Sequence, residues 1–98
     1  MDHFISLEQA IRMTGLYRLS IPEGMPVSET FQLTSINALL SQPDFTALRI
    51  YYGKKTDGTI HAILAGVNEK GEDMTEGVLL EEGDRCPPIC PPDSSLNK

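Results

Sequence analysis

The sequence predicts an α+β domain in which two short helices pack on a three- to four-stranded, mainly antiparallel sheet (a meander), followed by a Pro-rich C-terminal tail. Two helix signals lie in the first half of the chain. Segments rich in strand-forming residues, joined by turn residues, come after them. Four prolines within residues 87–92 then exclude a helix or a central strand. The predicted organisation is a single α+β domain over residues 1–83 and a Pro/Cys-rich tail over residues 84–98.

The first helix is expected over residues 7–14. Ser6 and Gln9 have the spacing of a capping box, in which each satisfies a backbone N–H near the other. Apolar residues then recur at helical spacing, and Gly15 is expected to end the helix because glycine adopts the left-handed conformation cheaply. A proline-containing connector over residues 16–30 follows, with a short edge strand expected at residues 17–19.

The second helix is expected after an extended stretch at residues 31–33. Thr34 or Ser35 is expected to cap it, and Pro43 to end it. The first helix, at eight residues, is too short to be stable alone, so it must dock on the rest of the domain.

Three strand-like segments follow, at residues 46–52, 59–67 and 74–82. Residues 55–58 form a hairpin-turn signal between the first two, and residues 68–71 form a second turn that ends in a glycine suited to the left-handed position. The third segment contains a glycine that favours a strand over a helix, although a short helix over residues 73–81 stays open.

The sequence allows two registers for the first hairpin. A two-residue turn at residues 57–58 places Ile50 opposite Ala65, whereas a three-residue loop with Gly58 in a bulge places Ile50 opposite Leu64. The middle strand is apolar on both faces, so the pattern alone does not choose between them. Both of its faces therefore require cover. The helices are expected to cover one, and the connector, the tail or a second subunit the other.

Composition excludes some functional classes. Fourteen acidic residues against eight basic ones give a net charge of −6, which argues against a protein that binds the phosphates of nucleic acid. The sequence has neither an apolar run that could cross a membrane nor a recognisable secretory signal, so we expect a cytoplasmic protein. Because no set of acid, base and nucleophile stands out, we expect no catalytic residue and no cofactor.

Cys86 and Cys90 form the most distinctive chemical feature, in the segment Cys-Pro-Pro-Ile-Cys. Three alternatives stay open. The pair can form a disulfide, it can supply half of a four-cysteine metal site shared by two chains, or it can be two unpaired thiols. The remaining candidate ligands are His61, which we interpret as a packed histidine of a strand, and His3, which lies near the terminus.

The order of these features resembles a family of small bacterial proteins that share a Tyr-rich hairpin and a C-terminal Cys-Pro-Pro-x-Cys tail. The resemblance is carried by residues 39–43, 48–53, 66–68 and 71–73 and by the tail motif at 86–90, and it covers about residues 31–92. The family has no assigned activity. The resemblance therefore implies a stand-alone domain and transfers no catalytic residue.

These observations favour a non-enzymatic protein-interaction module that uses a sheet face or the Pro-rich tail. Its expected partner is another protein or a second copy of the chain, with no nucleic acid and no membrane. The alternative is a metal- or redox-responsive protein that uses Cys86 and Cys90.

Overall fold

The computed structural model describes residues 2–98 and confirms the α+β class. Its elements are two helices, five strands arranged in two antiparallel sheets, and a C-terminal 3₁₀ turn. In chain order they are α1 (Leu7–Leu19), β1 (Ser28–Thr30), α2 (Leu33–Leu40), β2 (Ala47–Lys54), β3 (Ile60–Val67), β4 (Leu79–Leu80), β5 (Asp84–Cys86) and η1 (Ser95–Asn97). One sheet has the order β2-β3-β4, and the other is the two-stranded ribbon β1-β5.

Helix α1 begins as predicted but ends later. The Ser6 hydroxyl accepts the Gln9 N–H at 3.1 Å and the Gln9 side chain accepts the Ser6 N–H at 2.9 Å, which confirms the capping box. The expected end at Gly15 and the expected strand at residues 17–19 are wrong. The last turn of the helix carries Tyr17, whose hydroxyl donates to the Pro26 carbonyl at 2.6 Å. Such tertiary contacts offset the roughly 1 kcal/mol that a glycine costs inside a helix.

Helix α2 begins two to three residues earlier than predicted. Its N-cap is Gln32, whose carbonyl accepts backbone N–H groups from Ser35 and Ile36. The expected cap at Thr34 or Ser35 and the expected extension through residue 33 are therefore wrong. The helix stops at Leu40, before Pro43 as predicted, and buries Leu39 completely. It lies against β3 and β4, whereas α1 lies against η1.

The β2–β3 hairpin confirms the second of the two registers. Ile50 is opposite Leu64, and Ala47 is opposite Val67. The loop between the strands contains three residues, closed by a Lys55 N–H that donates to the Thr59 carbonyl at 2.9 Å. Gly58 takes the left-handed position, with a φ of 91°.

Strand β4 is much shorter than predicted. Only Leu79–Leu80 pair with β3, so the prediction of a strand from residue 74 to 82, and the alternative of a helix there, are both wrong over most of the segment. The Gln42 side-chain oxygen accepts the Val78 N–H at 2.7 Å, in place of the ladder partner that a longer strand would need. The preceding turn is as predicted, with Gly71 at a φ of 81°.

The core lies along β3, which buries Leu64 on one face and Ala65 and Val67 on the other. The far edge of β3 meets two different partners. Near its C-terminal end it pairs with β4. Near its start, the Ile60 N–H donates to the Gly24 carbonyl of the connector at 2.6 Å.

The segment from residue 84 onward takes part in the fold. Ser28 pairs with Cys86, and Thr30 with Asp84, to form the β1–β5 ribbon. The Arg85 side chain donates to the Gly24 carbonyl at 2.9 Å, so the ribbon is joined to the connector that reaches β3. No helix among residues 2–98 is long and apolar enough to cross a membrane.

Candidate functional site

The outer edge of β2 is the longest open strand edge of the main sheet. In the ladder, the Lys55 N–H bonds to Thr59, so backbone groups at alternate residues bond to β3. The groups of Leu48, Ile50 and Tyr52 therefore point away from β3, and no other strand among residues 2–98 pairs with them. Seven of the eight residues of β2 are exposed. An edge of this kind can accept a further strand.

One face of β2 is apolar at this edge. Leu48, Ile50 and Tyr52 alternate along the strand, so their side chains share a face. Their exposures are 46%, 49% and 70%. We call these three side chains, together with the outward backbone groups beside them, the β2 edge surface. It combines apolar contact area with unpaired hydrogen-bonding groups.

The opposite face of β2 is held by a polar contact. Arg49 lies 2.7 Å from the Asp73 carboxylate, and the Tyr51 hydroxyl donates to the other Asp73 oxygen. The hydrogen bond from Tyr51, and then the contact with Arg49, lower the pKa of Asp73. These contacts tie β2 to the turn beyond β3 and fix which face of the strand carries the apolar side chains.

A buried polar cluster surrounds His61. Its Nδ1 atom lies 3.1 Å from Glu81 Oε1 and 3.7 Å from Glu29 Oε1, and its Nε2 atom lies 2.9 Å from the Thr59 hydroxyl. The Nδ1 atom and both Oε1 atoms are buried and lack an aligned hydrogen bond among the described residues. The other Glu29 oxygen accepts the Ala62 N–H at 2.8 Å. His61 therefore links β3 to β1 and to the segment before β5, which supports its interpretation as a packed histidine.

Lys55 lies at the outer end of this cluster, and its side chain is partly exposed to solvent. The Lys55 ammonium lies 3.6 Å from Glu81 and donates to Glu82. That hydrogen bond lowers the pKa of Glu82 and raises the pKa of Lys55. Glu29, Glu81 and Glu82 were not singled out around His61 by sequence reasoning, because they are far apart along the chain and no local pattern joins them.

Shallow clefts flank His61. The larger measures about 260 Å³ and lies between Tyr17 on α1, Tyr52 on β2 and the connector. Burial, and then the neighbouring Tyr52, raise the pKa of Tyr17. A second cleft of about 220 Å³ lies beside Lys55 and Ile63. Both are smaller than the roughly 300–1,000 Å³ of pockets that enclose small-molecule ligands.

Cys86 and Cys90 are joined in a disulfide, the first of the three alternatives left open by the sequence. Their Cα atoms are 4.7 Å apart, because the Ile89 N–H donates to the Arg85 carbonyl and folds the segment into a turn. The two sulfurs are bonded to each other in the disulfide, so neither is a thiolate that can bind a metal ion. Within residues 2–98, no group of three or more His, Cys, Asp and Glu side chains has the arrangement of a metal site. His3 is exposed near the start of the chain.

Comparison of the chain with protein-family models, with curated proteins and with solved structures found no match.

Proposed function

We propose that the protein is a non-enzymatic protein-interaction module that binds through the β2 edge surface, with a second copy of the chain as its partner. The observation that carries this proposal is the open edge itself. It is eight residues long, contains no proline and is exposed along almost its whole length. Proteins usually shorten, bend or cover such edges to prevent unwanted pairing, so an uncovered one of this length favours a strand-adding partner.

The side chains of β2 are complementary to β2 itself. In one antiparallel register, Ile50 faces the partner's Ile50, and Leu48 faces the partner's Tyr52. These are apolar pairs on one face of the joined sheet. On the other face, Arg49 stands opposite the partner's Tyr51, a favourable contact between a cation and an aromatic ring. Each such cross-strand pair stabilises a sheet by roughly 0.2–1 kcal/mol.

Charge also fits a second copy. The cations of β2, Arg49 and Lys54, do not oppose each other in this register, because Lys54 stands opposite the partner's Thr46. The two-fold axis passes through Ile50, so both copies contribute the same surface, as most homodimers require. The result would be a six-stranded sheet built from two β2-β3-β4 units.

The test is to replace Ile50 with lysine and measure the oligomeric state by light scattering over a series of concentrations. Wild type is expected to form dimers. Ile50→Lys is expected to be monomeric, because two lysines would face each other at the axis. Met13→Lys, which changes another exposed apolar residue, on α1, is the matched control and is expected to dimerise.

A mixture provides the sharper result. Ile50→Lys mixed with Ile50→Glu is expected to restore dimers, since opposite charges then meet at the axis. A wild type that stays monomeric at every concentration, or an Ile50→Lys protein that behaves like Met13→Lys, would show that the proposal is wrong. Circular dichroism of each variant checks that the fold is kept.

A second candidate function is a redox-responsive protein that uses Cys86 and Cys90. The observation that favours it over the metal-responsive version is the disulfide, which occupies both sulfurs. It is tested by treating the native protein with dithiothreitol and counting free thiols by alkylation and intact mass. Reduction under native conditions supports this candidate. A disulfide that opens only after denaturation would exclude it.

A further inference from the structure

We propose that the Cys86–Cys90 disulfide is a thiol–disulfide exchange site in which an external dithiol attacks Cys90 and Cys86 is released as the thiolate. The inference rests on the redox-responsive candidate function and adds to it the sulfur that is attacked, the sulfur that leaves and the class of reductant that fits.

The two cysteines differ sharply in exposure. Cys86 is the last residue of β5 and is 1% exposed, and its carbonyl accepts a hydrogen bond from the Val27 N–H at 2.8 Å. Cys90 lies in the exposed turn beyond it. An attacking thiolate must reach a sulfur from outside the disulfide. Burial closes that approach at Cys86 and leaves it open at Cys90.

The buried sulfur is also placed to leave. The Asn97 side-chain nitrogen lies 3.8 Å from Cys86 Sγ and can donate a hydrogen bond to it. The η1 turn that carries Asn97 is anchored by Arg18, which donates to the Leu96 carbonyl at 2.6 Å. A donor held beside a sulfur stabilises the thiolate over the thiol, and a more stable thiolate leaves faster.

The exchange balances without a further reactant. A thiolate of the dithiol forms a bond to Cys90 Sγ, the Cys86–Cys90 bond breaks, and its electron pair goes to Cys86 Sγ. The second thiolate of the reductant then attacks the reductant's other sulfur, which is bonded to Cys90 in the mixed disulfide. Cys90 Sγ leaves as a thiolate. The disulfide gains two electrons, the dithiol is oxidised to a disulfide, and water supplies protons to the released thiolates.

The surroundings of Cys90 indicate the class of reductant. Ile89 is 56% exposed, and the four prolines beside the cysteines are exposed as well. No residue from 87 to 92 carries a charge, and the Arg85 side chain is directed to the Gly24 and Ile60 carbonyls. An uncharged apolar rim around one accessible sulfur fits a dithiol carried on an apolar protein surface.

The test traps the first intermediate. The oxidised full chain is treated with 2-mercaptoethanol, a monothiol, quenched with acid and alkylated with N-ethylmaleimide in denaturant, and each cysteine is assigned by tandem mass spectrometry. The expected product carries the thiol adduct on Cys90 and the alkyl group on Cys86, in roughly tenfold excess over the reverse product, because attack on the sulfur within reach dominates. Equal adducts on both cysteines, or an excess on Cys86, would overturn the proposal.

The role of Asn97 is tested separately. Asn97→Asp is expected to slow reduction by dithiothreitol several-fold, because a carboxylate disfavours the leaving thiolate, whereas Ser95→Ala in the same turn should leave the rate unchanged. In a Cys90→Ser background, Asn97→Asp should also move the pH profile of the ultraviolet absorbance of the Cys86 thiolate to higher pH. Unchanged rate and profile would remove Asn97 from the mechanism. A disulfide that dithiothreitol opens only in denaturant would instead refute the redox-responsive function itself.

Discussion

At the scale of single residues, Gly24 joins the connector to strand β3 of the three-stranded sheet. Its carbonyl accepts the Ile60 N–H and an Arg85 N–H, so the connector covers the start of β3 through this one peptide group. Its φ is 84°, a conformation that L side chains rarely adopt, and an added Cβ would collide with the Gly58 carbonyl. Gly71 has a similar φ of 81° but faces open space.

This contrast gives a stability prediction. Gly24→Ala is expected to lower the free energy of unfolding by more than the roughly 1–2 kcal/mol that a left-handed residue costs, because a backbone collision adds to it. Gly71→Ala should lower the free energy of unfolding only by the conformational cost of a left-handed residue. Urea denaturation of the two variants measures the difference. Equal losses would mean that the close approach at Gly24 is relieved without cost.

A second prediction concerns pH. Because Tyr51 and Arg49 lower the pKa of Asp73 below its ordinary value of 3.8, its contacts stabilise the folded state fully above that value and are lost as pH falls through the folded-state pKa. Asp73→Asn should therefore be less stable than wild type at neutral pH, and the gap should close in acid. Nuclear magnetic resonance titration checks the cause, since Tyr51→Phe should raise the pKa of Asp73. A pKa unchanged by Tyr51→Phe would contradict this account.

Residue chemistry could be predicted from the sequence only in part. The cysteine spacing allowed a disulfide, but the choice among three states depends on a turn that brings the Cα atoms together. The carboxylates around His61 could not be predicted, because Glu29 lies in β1, which pairs with β5, and Glu81 directly follows β4, which pairs with β3. Neither pairing leaves a local signal in the sequence.

At the scale of elements, α1 depends on its own sequence more than on burial. None of its described side chains is buried, and its contacts are with η1 and the connector. Its capping box was predictable because the interaction is local. Its end was not, because Tyr17 and Arg18 are held by distant carbonyl groups. Strand β4 is short for the same reason, a contact with a residue distant in sequence. The Gln42 side chain accepts the Val78 N–H, which a longer strand would pair with β3.

Two substitutions in α1 should act in opposite directions. Gly15→Ala is expected to stabilise the protein by about 0.5–1 kcal/mol, since Gly15 lies inside the helix and an added Cβ meets nothing within 4 Å. Ser6→Ala should destabilise it by about 1 kcal/mol through loss of the cap. Thermal unfolding followed by circular dichroism measures both. A destabilised Gly15→Ala protein would show that the helix is not continuous there.

At the scale of the whole molecule, the chain is flatter and more open than most domains of its size. Its radius of gyration is 15.0 Å and its extents are 39 × 36 × 22 Å, whereas a compact domain of this length has a radius of roughly 13 Å. The class of fold and the hairpin register options followed from periodicity and turn residues. The openness did not, because it depends on how the two sheets are placed.

An open shape with an uncovered edge predicts that stability depends on concentration. If two copies pair through the β2 edge surface, the melting temperature of wild type should rise as the protein is concentrated, by mass action. The melting temperature of Ile50→Lys should stay constant over the same series. Differential scanning calorimetry makes the comparison, and a wild-type melting temperature independent of concentration would count against the pairing.

The β1–β5 ribbon joins residues that are more than fifty positions apart, whereas the β2–β3 hairpin joins near neighbours. Closing a long loop costs more entropy and takes longer than closing a short one. During synthesis the hairpin can therefore form soon after it leaves the ribosome, while β1 must wait for β5 and α1 for η1. Throughout that interval α1 and β1 are without their partners and are more exposed to proteases and chaperones than the hairpin.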